Sequence, residues 1–160
     1  MSNILIVYYS HSGNTRIIAE CIREKTQGDL FEVEPVSPYP TSYNAVVEQA
    51  KKEIQAGFRP HLKGTPEGIE SYDTVFVGSP IWWHTMAPPV ATLLAGCDWA
   101  GKTVIPFCTH GGGGEGRMER DIAELCSGAD CKTGLVVSGN GGGRLARQVT
   151  EWLRAIGMDS

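Results

Sequence analysis

The sequence predicts an open, doubly wound α/β sheet with helices on both faces. Two observations carry this. Short β-branched and aromatic runs alternate five times with stretches of helical period. The runs are apolar on both faces, which is the pattern of parallel strands covered by helices on either side. Sheets of this kind bind ligands in the crevice beyond the carboxyl ends of their strands.

The elements follow in order. A first strand, Asn3 to Tyr9, leads into a helix, Thr15 to Lys25, that buries Ile18, Cys21 and Ile22. The second strand is Leu30 to Val33 and the third Thr74 to Gly78. A helix at Pro88 to Leu94 opens with prolines at tolerated first-turn positions. The fourth strand, Thr103 to Cys108, precedes a helix, Met118 to Leu125, that repeats Met118, Ile122 and Leu125 on one face. The fifth strand is Gly134 to Ser138, and the last helix, Arg144 to Ile156, aligns Leu145, Val149, Trp152, Leu153 and Ile156. One stretch breaks the rhythm, an insertion at about 35–73 with Pro35, Pro38, Pro40 and Pro60 and its own helix around Tyr43 to Ala56, ended by Gly57. It reads equally as a lid and as a packing cover for a sheet edge.

Composition fits one domain over residues 1–160. The chain is 41% hydrophobic, enough for a core, and its 20% charged share is below that of disordered chains. A net charge of −4 has the wrong sign for a polyanion binder, so no nucleic-acid partner is expected. The five cysteines form no Cys-x-x-Cys pair, which favours reduced thiols and a cytoplasmic location over a disulfide framework or zinc ribbon. The apolar run Ile4 to Tyr9 lacks a basic leader and is too short for a membrane span, so a soluble protein without membrane association is expected. The four histidines show no metal-site spacing, and no structural metal is expected. Glycine is in excess, at 20 of 160 residues, and nine of the 20 fall in Gly111 to Gly116 and Gly139 to Gly143, both in loops at the expected ligand end.

Three loops at that end carry chemistry. Ser10-His11-Ser12-Gly13-Asn14-Thr15 runs from the first strand into a helix, so that backbone N–H groups, three hydroxyls and the positive end of the helix converge on one anion site; a plain N-cap is the alternative. The loop holds no lysine or arginine, and Arg16 lies already inside the helix. After the third strand, Pro80-Ile81-Trp82-Trp83-His84-Thr85 places two indoles on a strand-to-helix loop, where stacking on a planar ligand competes with capping the core or burying the insertion. After the fourth strand, Thr109-His110-Gly111-Gly112-Gly113-Gly114 lets the backbone approach a ligand closely, unless it is merely flexible.

Two pattern matches fail on context. Gly96 to Thr103 satisfies the phosphate-loop expression, but a helix precedes it and a strand follows, the reverse of what that loop needs. Gly111, Gly113 and Gly116 match the dinucleotide fingerprint, yet they do not follow the first strand, and no acidic residue lies at the required interval.

Together, a hydroxyl-rich phosphate loop of the form S-x-S-G-N-T, an aromatic loop and a second loop after the fourth strand resemble the flavodoxins over essentially the whole chain. The uninterrupted fifth strand resembles the short-chain class. Pro38-Tyr39-Pro40, Pro80-Ile81-Trp82-Trp83 and Ile105-Pro106-Phe107-Cys108-Thr109 resemble a bacterial subgroup with the same insertion after strand two. The resemblance implies a flavodoxin-like three-layer sandwich, a five-stranded parallel sheet of order 2-1-3-4-5, FMN as cofactor and a redox role. It implies that Ser10, Ser12, Gly13, Asn14 and Thr15 hold the FMN phosphate with the backbone of His11. Pro80, Ile81, Trp82, Trp83, His84 and Thr85 would flank the isoalloxazine, and Thr109, His110, Gly111, Gly112 and Gly113 would meet its pyrimidine edge.

Three departures separate this sequence from acidic electron carriers. Ser79 to Val90 holds no acid and the glycine loop only Glu115, which predicts a less negative potential. Pro80 to Thr85 holds no glycine where such carriers place the one whose peptide flips beside the flavin, which predicts weak stabilisation of the one-electron-reduced state. Glycines also replace the stacking tyrosine common in the second loop, opening one flavin face. Three functions remain: electron transfer with a redox partner protein, NAD(P)H-dependent reduction of a small acceptor such as a quinone, and non-flavin binding of a phosphorylated ligand. For the enzyme, His84 and His110 are the candidates to stabilise reduced flavin or protonate a substrate.

Overall fold

The computed structural model describes residues 3–158, built on a seven-stranded sheet. The strands are β1 (Ile4–Tyr8), β2 (Asp29–Glu32), β3 (Thr74–Trp82), β4 (Thr85–Met86), β5 (Thr103–His110), β6 (Asp130–Cys131) and β7 (Leu135–Ser138). The helices are α1 (Asn14–Thr26), α2 (Tyr43–Ala56), α3 (Pro88–Ala95), α4 (Met118–Leu125) and α5 (Leu145–Ala155). The order is β2-β1-β3-β5, with β6 and β7 in line along the outer edge of β5. All pairings are parallel except that of β4, which folds back antiparallel on β3. The flavodoxin-like order is thus present, but with seven strands in place of five.

The fifth expected strand is not continuous. The N–H of Lys132 reaches the carbonyl of Val104 at 3.0 Å, so alternate residues of β5 face this edge, and Pro106, two residues on, has no N–H to offer. Opposite it, a Cβ on Gly134 would lie 2.6 Å from the Pro106 carbonyl oxygen. The register consequently slips by one residue, from Val104 opposite Cys131 to Phe107 opposite Leu135, and the strand splits into β6 and β7. The third strand runs past its expected end at Gly78. Ile81 and Trp82 find backbone partners in Met86 and Thr85, which extends β3 to Trp82 and turns the expected loop into a hairpin.

Alternation along the strands feeds two cores. Leu5, Val7, Val75, Val77 and Val104 face α3 and α4 with Val90, Leu93, Leu94, Met118 and Ile122. Ile6, Phe76, Ile105 and Phe107 face α1 and α5 with Ile18, Ile22, Val149 and Leu153. The insertion packs onto the first of these cores through Tyr39 and Val46, and its Pro35 bridges to Leu62. It is a cover in this structure. Lys102, the lysine of the phosphate-loop look-alike, is buried at the amino end of β5, where its Nζ donates to the carbonyls of Ile69, Glu70 and Tyr72. Among the described residues no helix is long and apolar enough to cross a membrane.

Candidate functional site

The three loops singled out in the sequence meet beyond the carboxyl ends of β1, β3 and β5, and specific bonds join them. The hydroxyls of Thr15 and Thr109, both buried, are 2.9 Å apart and tie the start of α1 to the end of β5. The His11 and Trp82 rings pack edge to face with centroids 5.7 Å apart, tying the first loop to the hairpin. The N–H of Arg117 donates to the carbonyl of His84 at 2.7 Å, tying the hairpin to the glycine loop.

In the first loop, Ser10 Oγ accepts from the N–H of Gly13 at 3.1 Å and from that of Arg16 at 3.3 Å, closing the turn. Gly13 sits at φ +98 as the cap of α1 and supplies no side chain to it. The N–H groups of Asn14 and Thr15 consequently have no hydrogen-bond partner among the described residues. Ser12 is exposed beside them. This donor set, neutral and aimed outward from a helix start, suits a phosphate monoester. Thr15 departs from expectation in one respect, since its hydroxyl points inward to Thr109 and leaves only its N–H for an anion. Arg16 points away as well, paired with Glu32 at 2.6 Å.

The aromatic segment divides. Trp82 is half-buried in β3 and packs edge to face on Tyr9, Tyr39 and His11, so it fills core as well as lining the site. Trp83 is exposed, but its Nε1–H donates to the Val47 carbonyl at 2.9 Å and Lys51 Nζ lies 5.3 Å from the ring centroid, which attaches it to α2. Of the two readings open for this segment, these contacts follow the structural one, with Trp82 capping the core and Trp83 holding the insertion, while Trp82 also lines the loop edge through His11. Trp83 and His84 form the two-residue turn between β3 and β4 with φ +51 and +70. Such turns need positive φ at both positions and normally take Asn-Gly, so two non-glycine residues here store strain on the order of 1–3 kcal/mol each. Thr85 beyond the turn is buried and donates to Asp121 Oδ2 at 2.5 Å.

In the glycine loop, a Cβ at any of Gly111 to Gly114 would meet no protein atom within 4 Å, so this backbone is open to an incoming ligand. His110 Nδ1 accepts the N–H of Gly112 at 2.9 Å, leaving the ring proton on Nε2. The second glycine stretch joins here, the N–H of Gly139 donating to the His110 carbonyl at 2.9 Å. Sequence reasoning missed Tyr9, Tyr39, Pro40 and Arg117 as parts of the site. His11 donates from Nε2 to the Pro40 carbonyl at 2.9 Å, and Tyr39 donates to Glu53 Oε1 at 2.5 Å while packing on Trp82. Burial first, and then the Glu53 hydrogen bond, push the Tyr39 hydroxyl far above its ordinary range, so it stays a neutral donor.

A flavodoxin family profile matches residues 3–156. The chain belongs to the flavodoxin family. It is 30% identical to a candidate flavoprotein from Bacteroides eggerthii, with a TM-score of 0.86 over 98% of this chain and 99% of that one. A second, from Bacteroides uniformis, is 26% identical with a TM-score of 0.84 over 96% and 98%. A flavoprotein from Lactobacillus acidophilus, solved in complex with FMN, is 25% identical with a TM-score of 0.72 over 85% and 93%. A search of curated proteins found no match. In this flavodoxin the glycine-free turn is clamped from both sides, by α2 through Trp83 and by Arg117 through His84.

Proposed function

We propose that this flavodoxin binds FMN across the three loops and transfers electrons between redox partners. The carrying observation is the unpartnered N–H pair of Asn14 and Thr15 at the start of α1, bonded through Thr15 and Thr109 to the same edge as the open glycine backbone. When bound, FMN supplies the one- and two-electron chemistry. Ser10, Ser12, Gly13, Asn14 and the N–H of Thr15 hold its phosphate, and the backbone of His11 completes the loop. Pro80 to Thr85 flank the ring, with Trp82 held by Tyr9 and Tyr39. Thr109 to Gly113 face the pyrimidine edge through backbone groups, and His110 keeps that loop in shape through Gly112.

The hairpin and its surroundings set the electrostatics. No acid lies between Ser79 and Val90, and Asp121, the carboxylate that reaches the hairpin through Thr85, is paired with Arg117, so little uncompensated negative charge opposes an anionic reduced ring there, which supports a potential less negative than that of acidic carriers. The His84–Thr85 peptide is held by Arg117 through the His84 carbonyl and by the pairing of Thr85 with Trp82, and a peptide so held does not reorient readily.

A second reading, NAD(P)H-dependent reduction of a quinone-like acceptor, draws on the glycine loop that leaves one side of the site uncovered and on the exposed His84 at the turn tip. In it, His84 moves a proton to the substrate. One experiment separates the two: FMN-loaded protein is assayed for NAD(P)H oxidation with a quinone acceptor and, in parallel, for reduction by a ferredoxin-type reductase. Turnover only in the second assay supports electron transfer; rapid turnover in the first replaces it with the enzyme.

A further inference from the structure

A phosphate held by the loop Ser10 to Thr15 meets no permanent cation from that loop. None of its residues is lysine or arginine, and Arg16, next along the chain, is turned to Glu32 at 2.6 Å. The one side chain of the loop able to carry positive charge is His11. We propose that His11 takes up a proton from solvent when a phosphate monoester enters the loop, and serves as the loop's pH-dependent cation. The preference for a phosphorylated over an unphosphorylated flavin then gains a part that depends on pH. This rests on the reading of the loop as the FMN phosphate site, and adds to it a role for the side chain of a residue otherwise credited with its backbone alone.

The ring is exposed yet fixed in place. Its Nε2–H donates to the Pro40 carbonyl at 2.9 Å, and it packs on Trp82 with centroids 5.7 Å apart. A carbonyl only accepts, so Nε2 carries a hydrogen in both charge states and the neutral ring keeps its lone pair on Nδ1. Nδ1 has no hydrogen-bond partner among the described residues. Protonation therefore adds a hydrogen at Nδ1 and leaves the bond to Pro40 and the seating on Trp82 as they are. The same turn of chain carries the free N–H groups of Asn14 and Thr15, and a full charge acts on an anion held there without a direct bond to it.

The groups packed around His11 leave that charge without a partner of the protein's own. On α1 and β2, Arg16 and Glu32 neutralise each other. In the insertion, Glu53 has its two oxygens bonded to Tyr39 and Gln49. Tyr9 and Tyr39, which flank Trp82, stay neutral because burial raises both hydroxyls. On the hairpin, Lys51 stands over Trp83, the neighbour of Trp82. No carboxylate among the described residues forms an ion pair with His11. A bound phosphate is then the anion that holds the proton on the ring, and the proton in turn holds the phosphate. By linkage the gain in affinity is complete where His11 is already protonated in the free protein, and is lost as rising pH strips the proton from the complex.

The test is the affinity for FMN at about pH 8 and about pH 5.5, read by quenching of flavin fluorescence, in the wild type and in His11→Gln, with riboflavin as the phosphate-free comparison. Glutamine keeps an N–H for the Pro40 carbonyl and never charges. The ratio of wild-type to variant affinity for FMN is expected to rise about tenfold between the higher and the lower pH, and the ratio for riboflavin to stay constant. The phosphate's own titration at about pH 6 acts on both proteins alike and cancels in the ratio. A second measurement needs no variant: in the wild type at about pH 7, the imidazole carbon resonances of His11 should move toward the protonated form when FMN is added. An FMN ratio independent of pH, the same change with riboflavin, or resonances that FMN leaves in place overturns the proposal while leaving FMN binding intact. Absence of FMN binding in the wild type overturns the reading of the loop and the proposal together.

Discussion

A methyl group on Gly116 would lie 2.3 Å from the carbonyl oxygen of His84, the same oxygen that accepts the Arg117 N–H. With φ at +58, Gly116 is the residue that lets the glycine loop close on the strained turn. Gly116→Ala is expected to lose about 3 kcal/mol, a thermal midpoint roughly 10 °C lower, because both the backbone angle and the close approach oppose it. His84→Gly acts in the opposite sense, removing strain at φ +70 and gaining about 0.5–1 kcal/mol after the added freedom of the unfolded chain is counted. Differential scanning calorimetry of the two variants checks both signs, and a midpoint that falls in His84→Gly removes the case for stored strain.

The insertion is held to the hairpin by the Trp83 indole on the Val47 carbonyl. Trp83→Phe keeps the ring over Lys51 and deletes that hydrogen bond, at a cost of about 1 kcal/mol. Because the loss falls on one contact of α2, amide exchange should accelerate in α2 and stay unchanged in α5, as hydrogen-exchange mass spectrometry would read. Equal acceleration in both helices would show the bond to be unconnected with the docking of the insertion.

Lys102 tests the rejected phosphate-loop reading. Buried, with Nζ shared among three carbonyls, it closes the chain between the insertion and β3 at the amino end of the sheet. Lys102→Met leaves those carbonyls without their donor and is expected to lower stability by about 2–3 kcal/mol in urea denaturation, with FMN affinity unchanged in the folded protein. Loss of nucleotide triphosphate binding in this variant would be the contrary finding.

Two thiols confer an alkaline limit. Burial pushes Cys108 up to about 12, with Glu115 and Glu119 adding to the shift, and burial pushes Cys126 up to about 12. A thiol whose folded pKa is raised contributes stability that is complete below the ordinary thiol pKa and is lost as pH rises through the folded value. The thermal midpoint should therefore fall progressively between about pH 9 and pH 12. Alkylation at pH 8 followed by mass spectrometry should label exposed Cys131 first and spare Cys108 and Cys126 until the chain unfolds. Early labelling of Cys108 would contradict its burial.

The sequence made much of this legible. Two-sided apolar runs and period-3.6 patterns mark most of the strands and helices because the central strands are buried on both faces, and Ser10 to Thr15 reads as a candidate anion site because its chemistry is local. Other features had no local signal. Turn chemistry calls for Asn-Gly where Trp83 and His84 stand, so nothing in the local sequence marks a hairpin there. The seating of Tyr39 on Trp82 and of His11 on Pro40 joins residues 43 and 29 apart in the chain, with no periodicity to betray them. Pro106 carried the break between β6 and β7, but its effect appears only once Gly134 is known to lie opposite.

FMN binding at the phosphate loop is tested most directly by titrating FMN into the apo-protein and into Ser12→Glu, following quenching of flavin fluorescence. Ser12 is exposed beside the free N–H groups of α1, so a carboxylate there opposes the phosphate without disturbing the core. Stoichiometric quenching in the wild type, and affinity lowered on the order of 100-fold in Ser12→Glu, is the expected result. No quenching in the wild type, or equal affinity in both proteins, would contradict it.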